Sequence, residues 1–362
     1  MPIIKYLRNL YGKFERPISS LSLVLGFVFD AVTLKRVDTL WENIWVLAHL
    51  VIVGFFIALI HIKERNVGDE KDPSKAHFWY VNILQFFFGG ILSTYLVFYF
   101  RSADILVTWP FILILVVAFW ANESLKRHFV RLSFQIGLFF LSIYSFAIFL
   151  VPVIMHKIGT KIFLISGLCS LIFISIYIFV LFLFTKDKFS KSKKIIFGLI
   201  VGITTMVNVL YFTNLIPPIP LSLKDAGVYH SLQRDFYGNY LVTYEDLGVL
   251  GFFSLYQDFK QTPGGLIYAY TSIFSPSDLD TTIIHQWEHY DEATKKWIPG
   301  SRINLEVIGG RDGGFRTFSL RSDLVQGKWR VNVLTEEGQL IGRLRFNIVN
   351  DTPKSLKTDI KK

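Results

Sequence analysis

Seven apolar stretches, most of them near the roughly 20 residues that carry a helix across a bilayer, fill the chain before Pro217, and none follows it. That division limits the fold more than any motif does. The stretches run Ile18 to Leu34, Ile44 to Ile62, Phe78 to Phe100, Ile105 to Ala121, Phe129 to Met155, Ile162 to Phe184 and Ile195 to Ile216. The first is short and carries Asp30; the fourth is short and contains Pro110, which membrane helices tolerate where neighbours satisfy the freed backbone groups. Trp41, Trp45, Trp79 and Trp109 fall near their ends, where amphipathic rings settle at a membrane interface. With 52% hydrophobic and 18% charged residues, the chain does not read as soluble throughout, and its single cysteine excludes a disulfide scaffold.

The net charge of +10 at first suggests nucleic acid. Split at Pro217, however, residues 1–216 hold 21 Lys and Arg against 11 Asp and Glu, while residues 217–362 hold 17 of each. The excess lies wholly among the apolar stretches, so it is a topology signal, and no nucleic-acid partner is expected. Counted on alternate loops, one side carries 16 basic residues, including Lys5, Arg8, Lys63, Lys126 and Lys186; the other carries five, Lys35, Arg36, Arg101, Lys157 and Lys161. The positive-inside rule then predicts a cytoplasmic N-terminus and, after seven crossings, a C-terminal half on the outer side.

Beyond the stiff run Ile216-Pro217-Pro218-Ile219-Pro220, short segments rich in β-branched and aromatic residues alternate with turn signals, which predicts an all-β sandwich. The predicted strands are Tyr240 to Tyr244, Leu266 to Phe274, Thr282 to Tyr290, Ile303 to Ile308, Phe315 to Leu320, Trp329 to Leu334 and Ile341 to Val349. Trp329, Val331 and Val333 alternate with Lys328, Arg330 and Asn332, marking the first three as core. The expected organisation is an α-helical transmembrane bundle of about seven spans over 1–216, a lead-in at the membrane surface over 217–263, an immunoglobulin-like β-sandwich over 264–350 and a polar tail over 351–362.

The run His285, Trp287, Gly309-Gly310-Arg311-Asp312-Gly313-Gly314-Phe315-Arg316, Gly327-Lys328-Trp329-Arg330-Val331 and Gly338-Gln339-Leu340-Ile341-Gly342 with Phe346 resembles the bacterial domain-of-unknown-function family 2914, over roughly residues 264–350. The resemblance implies a bacterial inner-membrane protein whose C-terminal domain follows a multi-pass region, periplasmic or extracellular by the charge count, and it implies no activity.

Three groups are candidate sites. His285, Trp287 and His289 invite a ligand reading, with a surface or packing role favoured. A shared metal is excluded on a regular strand, since four residues separate the two imidazoles by about 13 Å and two ligands of one zinc lie within about 4 Å. The loop around Arg311 combines four glycines with two arginines, able to present backbone N–H groups and a guanidinium to an anion, or to serve as a hairpin connection. Arg316 shares a strand face with Phe318 and Leu320, which calls for a carbonyl or carboxylate partner or a place at the strand's wet end. In the membrane, Asp30 and His49 lie at matching depth and form a candidate polar pair. Gln85 and Gln135 share a second depth.

No phosphate-binding loop, nucleophile elbow or dinucleotide fingerprint stands in a supporting context, so the enzyme question leans to no, and no metal or cofactor is expected. The reading preferred from sequence is a membrane protein, partnered by the lipid bilayer, that displays a β-sandwich to bind an envelope protein or glycan. A transporter or lipid-handling protein is the alternative, and a membrane-embedded enzyme using the His285 region the third.

Overall fold

The computed structural model describes residues 25, 27–34, 39–66, 75–102, 105–124, 131–245, 255–277, 279–311, 313–353 and 355–361. They fall into a helical unit and, from Pro217 onward, a β-rich unit.

Residues 27–33 are helical. They precede α1 (Leu40–Asn66), α2 (Lys75–Ser102), α3 (Ile105–Ser124), α4 (Leu132–Met155), α5 (Thr160–Phe184) and α6 (Lys186–Phe212). Five helices contain a segment long and apolar enough to cross a membrane: Leu40–Lys63, Tyr80–Phe100, Leu132–Met155, Thr160–Phe184 and Ser192–Phe212. The stretch in α3, Val107–Ala121, is shorter. Of the expected first span, residues 18–24 and 26 lie outside the described residues, as do Lys5, Arg8, Lys13, Arg16, Lys35, Arg36, Lys71, Lys126 and Arg127.

Helix α4 is the axis of this unit and packs against α1, α5 and α6. It is apolar on all sides and buried almost continuously from Gln135 to Phe149. By contrast, only 22% of the apolar segment of α5 is buried, leaving Leu164, Leu168, Ile172, Phe173 and Phe179 facing outward. So much contiguous apolar surface is the mark of a helix covered by lipid. Polar ties between helices include the Tyr95 and Tyr99 hydroxyls of α2, which donate to the carbonyls of Ser142 (2.7 Å) and Ser145 (3.0 Å) on α4, and Tyr177 of α5, which donates to the carbonyl of Gly54 on α1 (2.8 Å). A Cβ at Gly167 would stand 2.7 Å from the Tyr144 hydroxyl, so only glycine lets α5 approach α4 there. Just beyond helix α6, Asn214 holds a positive φ of 59° that reverses the chain, while the Leu215 N–H reaches back to the Leu210 carbonyl (2.8 Å) and the Asn214 N–H to that of Tyr211 (2.9 Å).

The β unit comprises β1 (Ser222–Tyr229), β2 (Ser231–Arg234), β3 (Tyr240–Glu245), β4 (Gln257–Gln261), β5 (Leu266–Phe274), β6 (Thr281–Asp291), β7 (Lys296–Val307), β8 (Phe315–Ser322), β9 (Gly327–Thr335), β10 (Leu340–Asn350) and β11 (Leu356–Lys361). A five-stranded sheet, β4-β10-β9-β6-β7, faces a three-stranded sheet, β1-β5-β8. Period-two alternation drives their packing. Ile267, Ala269 and Ile273 from one sheet meet Ile283, Trp287, Trp329, Val331, Val333, Leu344, Phe346 and Ile348 from the other, all buried. The expected inward face of β9 is therefore inward.

The outer face of β1-β5-β8 is also apolar, with Tyr268, Tyr270 and Phe318 outward. A third sheet, β11-β3-β2, covers it through Leu232, Val242 and Tyr240. This corrects two expectations. Segment 217–263 is not an irregular lead-in but supplies β1 to β4, and segment 351–362 is not a free polar tail but supplies β11, paired antiparallel with β3 from Leu356–Glu245 to Lys361–Tyr240. The two facing sheets agree with a β-sandwich. The parallel β10–β4 pair and the third sheet are additions that an immunoglobulin-like domain did not lead us to expect.

Candidate functional site

Alternation along β6 turns Ile283, His285, Trp287 and His289 toward the inner face, opposite Thr335, Val333, Val331 and Trp329 of β9. His285 and Trp287, ligand candidates for which the sequence favours a surface or packing role, are fully buried. They close a polar knot between the sheets. His285 Nε2 lies 3.0 Å from Thr271 Oγ1, its Nδ1 lies 2.9 Å from Ser319 Oγ, and the Trp287 indole N–H donates to Ser319 Oγ at 3.0 Å. Thr317 completes the set at 3.1 Å from Thr271. Burial pushes the His285 imidazole down to about 4, so it is neutral at ordinary pH. His289, half-buried, packs its ring 4.9 Å from that of Trp329. On the opposite face Glu288 pairs with Arg330 at 2.5 Å, and Arg330 in turn lies 4.2 Å over the Trp297 ring. The histidines and glutamate thus have separate structural partners, and the described residues contain no group of three or more His, Cys, Asp or Glu able to hold a metal.

The glycine loop is similarly engaged. The Gly309 N–H donates to Asp280 Oδ1, the Gly310 N–H to the Ser275 carbonyl and the Gly314 N–H to the Arg311 carbonyl. Gly310 and Gly314 hold φ of 90° and 87°, which glycine adopts readily. With these donors internally satisfied, a backbone anion nest does not form at those three positions. Arg311 itself is exposed, its guanidinium 5.2 Å from the Phe315 ring centre, and Asp312 lies outside the described residues. Arg316 has the carbonyl partner its face required: Nη1 donates to the Lys361 carbonyl at 2.9 Å, beside the Tyr240 ring.

In the helical unit, Asp30 and His49 come within electrostatic reach of each other, with Ser93 of α2 beside the carboxyl. The His49 Nδ1–H donates to the Trp45 carbonyl at 2.9 Å. That ring is buried between Trp45 and Phe87, and a Cβ on Gly90 would stand 3.2 Å from it. Gln135 meets His61 at 2.9 Å, a cross-helix bond that the Gln85–Gln135 reading overlooked.

A cleft of about 480 Å3 in the β unit escaped the sequence reading. It lies among β1, β3, β4, β10 and β11, and its walls include Tyr229, Tyr244, Glu245, Phe259, Arg345 and Lys361. These positions span 133 residues and came partly from segments read as lead-in and tail; the alternation of Leu356, Thr358 and Ile360 with Lys357, Asp359 and Lys361 was the one signal available. Lys361 Nζ stands 3.0 Å from Asp225. Burial pulls its ammonium down, but the bond to Asp225 and the Tyr229 hydroxyl more than offset this and hold it above the usual lysine range. Burial likewise raises the Tyr229 phenol. His230 stacks at 4.1 Å on Phe259, and burial lowers its pKa.

Residues 280–348 match the family described as "Protein of unknown function (DUF2914)". The matched segment covers nearly all of β6 to β10, a narrower range than the 264–350 of the sequence resemblance. No curated protein sequence matches the chain. Among solved structures, a β-glucosidase from Listeria innocua in complex with glucose aligns at 12% identity over 30% of this chain, with a TM-score of 0.19; the chain spans only 16% of that protein. The Pseudomonas fluorescens alkylpurine DNA glycosylase AlkC, bound to DNA containing an abasic site analog, aligns at 9% identity over 86% of this chain and 99% of its own, with a TM-score of 0.20. At such scores neither alignment transfers a fold or an activity.

Proposed function

We propose that this membrane protein displays its C-terminal β unit on the outer side of a bacterial inner membrane, where the unit binds an envelope protein or glycan. The observation that carries the reading is an open cleft, lined by charged and aromatic side chains, in a unit with its own hydrophobic core. A unit so built has the means to bind. Burial of His285 removes the support for an enzyme working through that region.

The outward orientation rests on charge. Seven crossings put 16 basic residues on the N-terminal side against five; counting only the five membrane-length helices still gives 15 against six. Both counts are odd, so the termini fall on opposite sides either way. An exported phosphatase fused after Lys362 should be active and a cytoplasm-dependent fluorophore dark; the reverse pattern overturns the reading. Co-purification from native membranes should then retain an envelope component on the wild-type chain.

The grouping of Asp30, His49 and Ser93 favours a second reading, a transporter or lipid-handling protein with the β unit as gate or dock. Loss of function in Asp30→Asn with an unaltered β unit would support it over the first.

A further inference from the structure

Within the cleft of the β unit, two oppositely charged side chains keep unused hydrogen-bonding capacity, Glu245 despite a long ion pair with Lys260. The Glu245 side chain is 8% exposed, its Oε1 accepts no hydrogen bond, and Lys260 Nζ stands 3.8 Å away, beyond hydrogen-bond reach. A carboxylate oxygen so deeply placed without a donor is costly to a fold. Arg345, on the β10 wall, has no ion pair or hydrogen bond from its guanidinium among the described residues. The other charges are engaged: Asp258 accepts from Asn347 at 2.7 Å, and Lys361 is held by Asp225.

The walls mix cations with carboxylates, so no strongly charged ligand gains a net attraction from them. Tyr229, Tyr244 and Phe259 add apolar ring surface. An uncharged, hydroxyl-rich ligand answers each requirement. Its hydroxyls donate to the Glu245 carboxylate and accept from the Arg345 guanidinium, while its C–H faces lie against the rings. The volume of about 480 Å3 is within the range of small-ligand sites. We infer that the cleft is a carbohydrate-binding site that takes a one- or two-sugar unit of an envelope glycan. The source of the sugar rests on the display reading above; the site itself is local to the β unit.

The test is calorimetric titration of the full chain with cellobiose, maltose and N,N′-diacetylchitobiose. The chain is held in lauryldimethylamine oxide, because a glycosidic detergent would compete. Saturable binding of at least one disaccharide is expected. Glu245→Gln, which keeps the side-chain shape, and Arg345→Ala should each weaken it at least tenfold while circular dichroism shows the chain still folded, whereas Arg311→Ala leaves it intact. Absence of saturable binding to all three, or binding indifferent to both Glu245→Gln and Arg345→Ala, overturns the site. A (Thr-Val)4 peptide run in parallel tests strand addition to the edge strand β4, and its binding in place of the sugars also overturns the assignment. Sugar binding with a cytoplasmic C-terminus would sink the display reading alone, while an external C-terminus without sugar binding would sink this inference alone.

Discussion

His285 is a residue whose chemistry its neighbours have removed. Hydroxyls of Thr271 and Ser319 occupy both ring nitrogens, and no ionisable side chain among the described residues bonds to it. Its imidazole has been pushed down to about 4, so between pH 6.5 and 4 the unfolded chain binds a proton that the folded one refuses. Stability is then full above pH 6.5 and falls as the pH drops, by on the order of 3 kcal/mol once pH 4 is reached. Melting of the β unit, followed by Trp fluorescence across this range, should show that slope, and His285→Gln should flatten it. Trp329 and Arg311 illustrate the two extremes of substitution. The first is buried with its indole N–H on the Val325 carbonyl at 2.8 Å, so Trp329→Ala should cost about 3 to 5 kcal/mol. Arg311 is exposed, and Arg311→Ala should stay within about 0.5 kcal/mol of wild type in the same melting assay.

Strands and helices are here decided by what covers them. The outward aromatic face of β5 and β8 needs a lid, and β2 with β3 provides it, while β11 pairs with β3 and offers the Lys361 carbonyl to Arg316. Deleting residues 355–362 should therefore leave a charged donor unpaired and lower the urea midpoint by an amount corresponding to about 2 kcal/mol. Arg316→Ala in the same deletion should recover part of that, since no charged donor is then left unpaired. In the helical unit the contact between α4 and α5 depends on a hydrogen atom at Gly167. Gly167→Val forces a methyl-bearing carbon into the Tyr144 hydroxyl and should cost about 1 to 3 kcal/mol, read as earlier aggregation on heating in detergent.

At the scale of the whole chain, two units with separate cores follow opposite solvent rules. The helices leave apolar side chains outward for lipid, whereas the strands bury theirs between sheets and turn charged residues to water. A fragment starting at Pro217 should consequently fold alone and give a β-dominated circular dichroism spectrum. A helical spectrum, or failure to fold with β1 to β4 retained, would contradict the division.

The sequence by itself determined that division, the apolar stretches, seven of the eleven strands and the inward face of β9. Each is a property of neighbours along the chain, carried by runs near 20 residues or by a period of two. Tertiary structure alone decided the third sheet, the cleft, the carbonyl partner of Arg316 and the burial of His285. Arg316 meets a carbonyl 45 residues away, and Thr271 meets Thr317 across 46. Local pattern says which face of a strand is apolar. Which strand pairs beside it, and which sheet covers it, depends on long-range register and side-chain fit, which no window of the sequence contains.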